Sequence, residues 1–280
     1  MSDTHVTASV IQAYPSPALA ALEVNLAEHV AFVPRELARD NVLSKAGVTR
    51  VDSGLASDTF NKLLHARFEE SQADAGIDQA LEHFRRVERP FTWWVGPCSR
   101  PSDLEARLGQ RGLQPLEHEI GMTLKLKDLP RDRDIPEGFS IRRVTQLTEL
   151  EHFAALLSNI SIPADDTVVA YFEKASPFLL KDDCPMQFFV AYRGDEPAAT
   201  VELMLSAYGD NPRGLAGVHM SATSAAYRHR GLELAMSWTA LDHARQLGAE
   251  LGGILVAPEA QNIFTELGFR SCGRFAEYQH

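Results

Sequence analysis

Cysteine is scarce: Cys98, Cys184 and Cys272 are the only three in 280 residues. They stand far apart and are odd in number, which argues against a disulfide framework, and no C-x-x-C pair offers a metal clip. Long apolar runs are missing as well. Nothing approaches the roughly 18 uninterrupted apolar residues of a membrane-spanning helix, and Met1-Ser2-Asp3-Thr4-His5 is not the basic start of a secretory leader. A cytoplasmic protein without a membrane partner is expected. Positive charge is in deficit: 27 Lys and Arg stand against 38 Asp and Glu, a net charge of −11. Such a surface repels a polyanion, so no nucleic-acid partner is expected. The pairs Asp165-Asp166 and Asp182-Asp183 lack a matching cluster of ligands; they read as solvated loops, and no metal site is expected.

What is present is ordinary globular composition, 45% hydrophobic and 23% charged, enough for one large domain or two of moderate size. Residues 1–45 read as helical, with Pro15 and Pro17 near the start and apolar positions at Leu19, Leu22, Leu26 and Val30. The charged, two-proline stretch 127–138 reads as a linker between a unit at 1–130 and a unit at 139–280.

The same order of elements recurs on either side of that linker. In the first unit a helix at about 71–88 carries Ile77, Leu81 and Phe84. The strand Phe91–Val95 follows, then a short helix opened by a capping box over Ser102–Glu105, then a strand from Leu113 to about Leu126. In the second unit a helix at about 231–247 presents Leu234, Trp238 and Leu241. It leads into the strand Gly253–Val256, a short helix from Pro258 that ends at Leu267-Gly268-Phe269, and a last strand towards Tyr278. Leu108 and Phe264 each stand four residues before the glycine that ends the short helix, an echo that suggests duplication of one α/β unit. Strands at Ser140–Val144, Gln187–Arg193, Ala198–Leu205 and Gly217–Ala222, with a hairpin signal at Gly194-Asp195-Glu196-Pro197, complete the second unit. The fold class this predicts is α/β: a mixed sheet with helices on both faces, made twice in tandem.

The informative segment is 216–232, which reads as strand, tight turn and helix N-terminus. The first turn of a helix carries unpaired N–H groups and the positive end of the helix dipole, both suited to a diphosphate. Gly231 lets the turn pass close to such a ligand, and Arg228 and Arg230 add charge-assisted hydrogen bonds. On so acidic a chain, this basic spot suits a small anion rather than a polymer. Arg228-His229-Arg230-Gly231-Leu232 resembles the acyl-CoA signature of the GNAT superfamily, a strand followed by [Gln/Arg]-x-x-Gly-x-[Gly/Ala]. The stretch Pro258–Phe269 resembles that family's closing short helix and Leu-Gly-Phe ending, so the resemblance spans most of 139–280. The upstream unit, with Thr92-Trp93-Trp94-Val95-Gly96-Pro97, resembles the degenerate first repeat of tandem GNAT proteins. Its strand at about 61–68 runs into Glu69-Glu70-Ser71-Gln72-Ala73-Asp74, acidic and without a basic glycine turn, so that unit is not expected to hold CoA.

The resemblance implies acyl transfer from acetyl-CoA or another acyl-CoA to a small-molecule amine. It places the CoA phosphates on the amides of 229–233, so that Arg228, His229, Arg230, Gly231, Leu232 and Glu233 form the phosphate site. It pairs the pantetheine arm with Met220, Ser221 and Ala222, and makes a backbone N–H near Ser221 the oxyanion donor. Three positions depart from the family pattern: Glu233 replaces a small residue, Phe264 a tyrosine that protonates the leaving thiolate, and Ala257 an asparagine. Water, Tyr227 and Cys272 are the substitutes for the missing acid. Two residues are candidates for the general base. His219 lies two residues before Ser221, hence on the same strand face; the other reading is a core histidine bonded to a neighbouring strand. Glu202 interrupts an apolar strand, and the other reading is a solvated face. No motif places a histidine near Cys98, so it reads as an inert thiol, and Trp93-Trp94 fits either a pocket wall or a buried strand. Two further readings keep the fold: an enzyme with Glu233 and Phe264 repurposed for another donor or a non-transfer reaction, and a catalytically silent binding module. Acceptor choice falls to the cleft between the units and to the loops at 159–166 and 205–213. Monomer and homodimer are both open.

Overall fold

A computed structural model describes residues 16–45 and 47–280, with Glu117 given by its backbone alone. The helical expectation for 1–15 lies outside the described residues. The first helix, α1, spans Pro17–Leu37: Ser16 caps it by accepting from Leu19 N–H, and Pro17 sits in the first turn, where its missing N–H costs nothing. The helix does not reach residue 45. After a 3-10 turn at Arg39–Asn41 the chain forms β1 (Val42–Lys45) and β2 (Val48–Val51), a hairpin in which each strand satisfies the other's backbone.

The first half continues with β3 (Lys62–Leu64), α2 (Ala73–Val87), β4 (Thr92–Val95), α3 (Leu104–Gln110) and β5 (Gln114–Lys125). The strand expected over 61–68 is cut short because His65 takes a left-handed conformation (φ 55°). The expected capping box is not formed. Asp103 makes no side-chain cap, and Glu105 instead accepts from Arg274 and from the Tyr278 hydroxyl.

Residues 129–139 carry no helix or strand and are strapped down: Trp238 donates to Pro130 O and Arg245 to Leu129 O. The second half runs β6 (Ser140–Arg143), α4 (Leu147–Ser158), α5 (Asp166–Leu179), β7 (Met186–Arg193), β8 (Glu196–Tyr208) and β9 (Asn211–Thr223). It ends with α6 (Leu232–Gln246), β10 (Leu251–Val256), α7 (Gln261–Thr265) and β11 (Arg270–Gln279). Asp165 is not a free loop residue, since its carboxylate caps α5 by accepting from Thr167 N–H. Nor is 205–213 a loop over the cleft. It forms the ends of β8 and β9 joined by a tight turn, with Ser206 opposite Leu215 and Tyr208 opposite Asn211. That turn lies at the opposite end of β9 from Thr223.

All eleven strands among the described residues form one sheet, in the order β1-β2-β3-β4-β11-β5-β10-β9-β8-β7-β6. Only β3–β4 and β9–β10 are parallel. The final strand, β11, lies between β4 and β5, and β5 in turn pairs with β10. Each half therefore gives its last strand to the middle of the sheet. Helices α6 and α7 pack on one face over Val201, Leu203, Val218 and Ile254, and α2 and α3 cover the same face farther along over Leu63 and Trp93. The other face is covered by α4 and α5 over Phe188 and Val190, and by α1 across the centre. No helix among the described residues is long and apolar enough to cross a membrane.

Candidate active site

The parallel pairing of β9 with β10 runs from Leu215↔Leu251 to Val218↔Ile254 and stops there, although both strands continue. On its other edge β9 pairs Glu202↔His219 and then Thr200↔Ala222, so Met220 and Ser221 together face Val201. This is a β-bulge, with Met220 at φ 44°, and it bends β9 away from β10. The bulge also resets the alternation of side chains. His219 and Ser221 are therefore not on one face, contrary to the simple two-residue period: Ser221 lines a groove on the α6 side, and His219 lines a pocket under α1.

The groove, of about 490 Å³, runs from Ser221, Ala222 and Thr223 past Arg228 and His229 to Gly231, Leu232 and Glu233. Its floor is the turn into α6. His229 (φ 61°) and Gly231 (φ 77°) are both left-handed, which turns successive N–H groups inward as an anion nest. Tyr227 N–H bonds Ser224 O, and the next N–H along the chain to find a backbone acceptor among the described residues is that of Ala235, on Gly231 O. The amides of 228–234 are thus open beside the positive end of α6. Arg228 is exposed, its Nε 3.3 Å from Thr223 O, and Arg230 lies over the Tyr227 ring. Glu233 lines the groove without filling it, and partial burial raises its carboxyl above the ordinary range. Ile160, from the turn between α4 and α5, and Ile263, on α7, close the groove's rim.

The substitutes for the missing acid are otherwise engaged. Phe264 is 1% exposed, edge-on to Phe269 in the α6 core. The Tyr227 hydroxyl donates to Glu196 (2.7 Å), which holds its proton above the usual range. The Cys272 thiol donates to Gly121 O, and burial pushes it up to about 11. Cys98 is likewise buried and pushed up to about 12, chiefly by burial and then by Glu23.

The pocket under α1, of about 260 Å³, opens on the other side of the bulge. Asn25, on the buried face of α1, donates to Met204 O and Ser206 Oγ, both at 2.8 Å. Its Oδ1 must then accept from His219 Nε2, 2.9 Å away, which fixes the proton of His219 on Nε2 and leaves Nδ1 a free lone pair. Gly217 makes room for this contact, because a Cβ there would overlap Asn25 Oδ1. His219 stacks on His29 with centroids 3.9 Å apart, and burial, helped by His29, drives its pKa well below the ordinary value. Glu202 is 1% exposed behind His29, on no solvated face. His29 Nε2 lies 2.9 Å from Glu202 Oε1, yet the N–H is not aimed along that line: neither Glu202 oxygen nor His29 Nδ1 has a hydrogen-bond partner among the described residues. His219 therefore reaches an opening and Glu202 does not.

The remaining pocket wall comes from the first half: Lys62 and Leu64 on β3, Trp94 on β4 and Glu119 on β5. The tryptophan pair is split by strand alternation, Trp93 fully buried and Trp94 on the pocket. Lys62 Nζ donates to Thr92 and to Glu277 Oε1, each at 2.7 Å, and Trp94 Nε1 donates to the same Glu277 oxygen. Glu119 has no sequence signature, lying as it does in an alternating stretch that reads as a half-exposed strand.

No protein-family model matches the sequence, and no curated protein matches it. Solved structures do resemble the fold. A GCN5-related N-acetyltransferase from Kribbella flavida aligns over 92% of this chain and 95% of its own, with a TM-score of 0.69 at 17% identity. A GCN5-related N-acetyltransferase from Sphaerobacter thermophilus aligns over 95% and 93%, with a TM-score of 0.57 at 15% identity. A tandem GNAT protein from the clavulanic acid biosynthesis pathway aligns over 83% and 78%, with a TM-score of 0.57 at 13% identity. The chain has the GNAT fold, and a tandem GNAT protein is among the structures it resembles.

Proposed function

We propose that this protein is an acyl-CoA-dependent N-acyltransferase, most simply an acetyltransferase, acting on a small amine. The observation that carries the reading is the parting of β9 from β10 at Met220 beside a turn whose amides at 228–234 lack acceptors among the described residues. Those amides, with Arg228 and Arg230, are the groups to hold a diphosphate. The free edge of Met220–Ala222 suits an extended amide-bearing arm, and an N–H at the bulge is the donor for an oxyanion. Acyl-CoA, when bound, supplies the acyl group as an activated thioester.

The chain's own residues do the rest. His219, neutral and with its Nδ1 lone pair free, accepts a hydrogen bond from the attacking nitrogen and orients it. Glu202, shut in behind His29 and lining no opening, does not touch the reacting groups. The three cysteines are free thiols, which supports a reducing compartment. The repeated order of elements supports duplication of one unit, with the acyl-CoA site in the second copy, 139–280.

Calorimetry with CoA and acetyl-CoA tests the reading, with one site per chain expected. Binding of neither to the folded chain would leave the silent module as the better reading, and selective binding of another ligand would leave the repurposed enzyme. A thiol-release assay over a panel of amines then tests transfer itself.

A further inference from the structure

The pocket under α1 is built by both halves, and it meets the groove at the bulge: Met220 lines the pocket, and the next residue, Ser221, lines the groove. A nitrogen held in the pocket therefore stands across one bulged residue from the strand edge assigned above to the thioester arm. Its walls are mostly apolar, among them Leu26, Val30, Leu64, Met220 and Leu255, with the Trp94 ring at one side. Its charged groups do not balance. The ammonium of Lys62 is already paired with Glu277 at 2.7 Å. His219 is held neutral by burial. Glu119 shares only the field of Lys62, whose ammonium is bonded to Glu277 instead, and it accepts no hydrogen bond among the described residues. A half-buried carboxylate with no hydrogen-bond partner among the described residues, open to a cavity with mostly apolar walls, calls for a cation on an apolar body.

Resting on the acyltransferase reading, we propose that this pocket is the acceptor site, that it takes a small primary amine with an apolar body, and that Glu119 receives the ammonium and removes its proton. The balance is simple. The ammonium gives one proton to the Glu119 carboxylate, and the freed lone pair forms the C–N bond as the C–S bond breaks. The thiolate takes the second nitrogen proton, and Glu119 returns the first to solvent. Burial and the neighbouring Glu277 hold the Glu119 carboxyl up to about 7, with Lys62 pulling the other way. That places the group near the operating pH, where a general base is most effective. The charged and titratable groups around it are Lys62 on β3, Glu277 on β11, His29 on α1 and His219 on β9.

The test uses the full chain without any acyl donor and two probes, hexylamine and 2-phenylethylamine. Titration calorimetry in buffers of different ionisation enthalpy reads both affinity and proton release. At pH 7 a bound ammonium ionises Glu119, so roughly half a proton should leave per amine. The release should grow towards one at pH 6 and vanish by pH 9, where the carboxylate is already charged. Glu119→Gln should abolish the release and weaken binding by about tenfold or more, with its thermal unfolding followed as the control for folding. Hexanol, uncharged, should not bind. Failure of both amines to bind, or proton release that survives Glu119→Gln, overturns the proposal. Acetyl-CoA titrated in parallel separates the two readings: amine binding with the predicted proton release but no acetyl-CoA binding removes the transfer reaction and leaves an amine pocket.

Discussion

The two halves place the same strand, turn and helix over the same sheet, and only one of them leaves the junction open. In the second half β9 bulges at Met220 (φ 44°), and no bridge rejoins it to β10. In the first half β3 breaks at His65 (φ 55°), the corresponding place, but the gap is closed at once. Arg100 N–H bonds Ala66 O and Phe68 N–H bonds Arg100 O, so the segment after β4 bridges back onto the chain leaving β3. The turn into each helix differs in the same sense. Where the second half presents Arg228 and Arg230, the first presents Glu69, Glu70 and Asp74, and Asp74 is taken up by Arg107 of α3 and by Arg111 just past its end. One half spends its backbone and charges on itself, and the other leaves its amides at 228–234 without backbone acceptors and its arginines unpaired with acid among the described residues. On the proposed reading the two halves divide the work, with stability in one and binding in the other.

That division can be broken most severely by giving the open turn the charge of the sealed one. Arg228→Glu with Arg230→Glu should lower acetyl-CoA affinity by on the order of 100-fold in calorimetry, about 2.7 kcal/mol, while both side chains are exposed enough for thermal unfolding to stay put. The opposite pattern is expected at Asp52. Its carboxylate accepts from His83, from Arg89 twice and from Gly54 N–H, and these donors, opposed by burial, hold its pKa below the ordinary range. Asp52→Asn should cost about 2 kcal/mol in urea unfolding at neutral pH, with acetyl-CoA affinity unchanged. A depressed carboxyl stabilises the fold above its unfolded pKa and gives that up as pH falls through the folded one. The difference between wild type and variant should therefore shrink below about pH 4.

These contrasts also mark what a reader of the sequence can and cannot see. The turn at 228–233 is legible because its chemistry is local: basic residues and a glycine directly before an apolar-periodic helix. The acidic run at 69–74 is legible for the same reason. The bulge at Met220 is not, since no residue type announces it; it arises from β9 opposing two residues to Val201, and it sends His219 and Ser221 to different openings. Glu119 is invisible for a further reason. Its surroundings come from β3, β9, β11 and α1, and nothing between Leu116 and Ile120 foretells that they converge. Glu202 misleads in the other direction: an acid in an apolar strand reads as solvated, whereas α1 buries it against His29.

Two smaller changes sharpen the comparison. Phe264→Tyr, which restores the family's acid, should not raise the rate of thiol release, because the ring is packed in the core. It should cost about 1–2 kcal/mol in thermal unfolding for an unpaired hydroxyl; a gain in rate would mean that the ring edge reaches the thioester. Glu233→Ala should tighten acetyl-CoA about threefold by removing an acid from the groove wall, and weaker binding would give that carboxylate a role of its own.

The place of β11 sets an order of events at birth. A chain leaving the ribosome completes β4 and β5 long before the strand that belongs between them. At roughly 5–20 residues per second, the edges of both strands wait for many seconds, bare and ready to pair with a stranger. Residues 270–279 act as a keystone laid after the stones on either side of it. A nascent chain stalled short of residue 270 would hold two unfinished arches rather than one folded half, and would be a natural client for a chaperone.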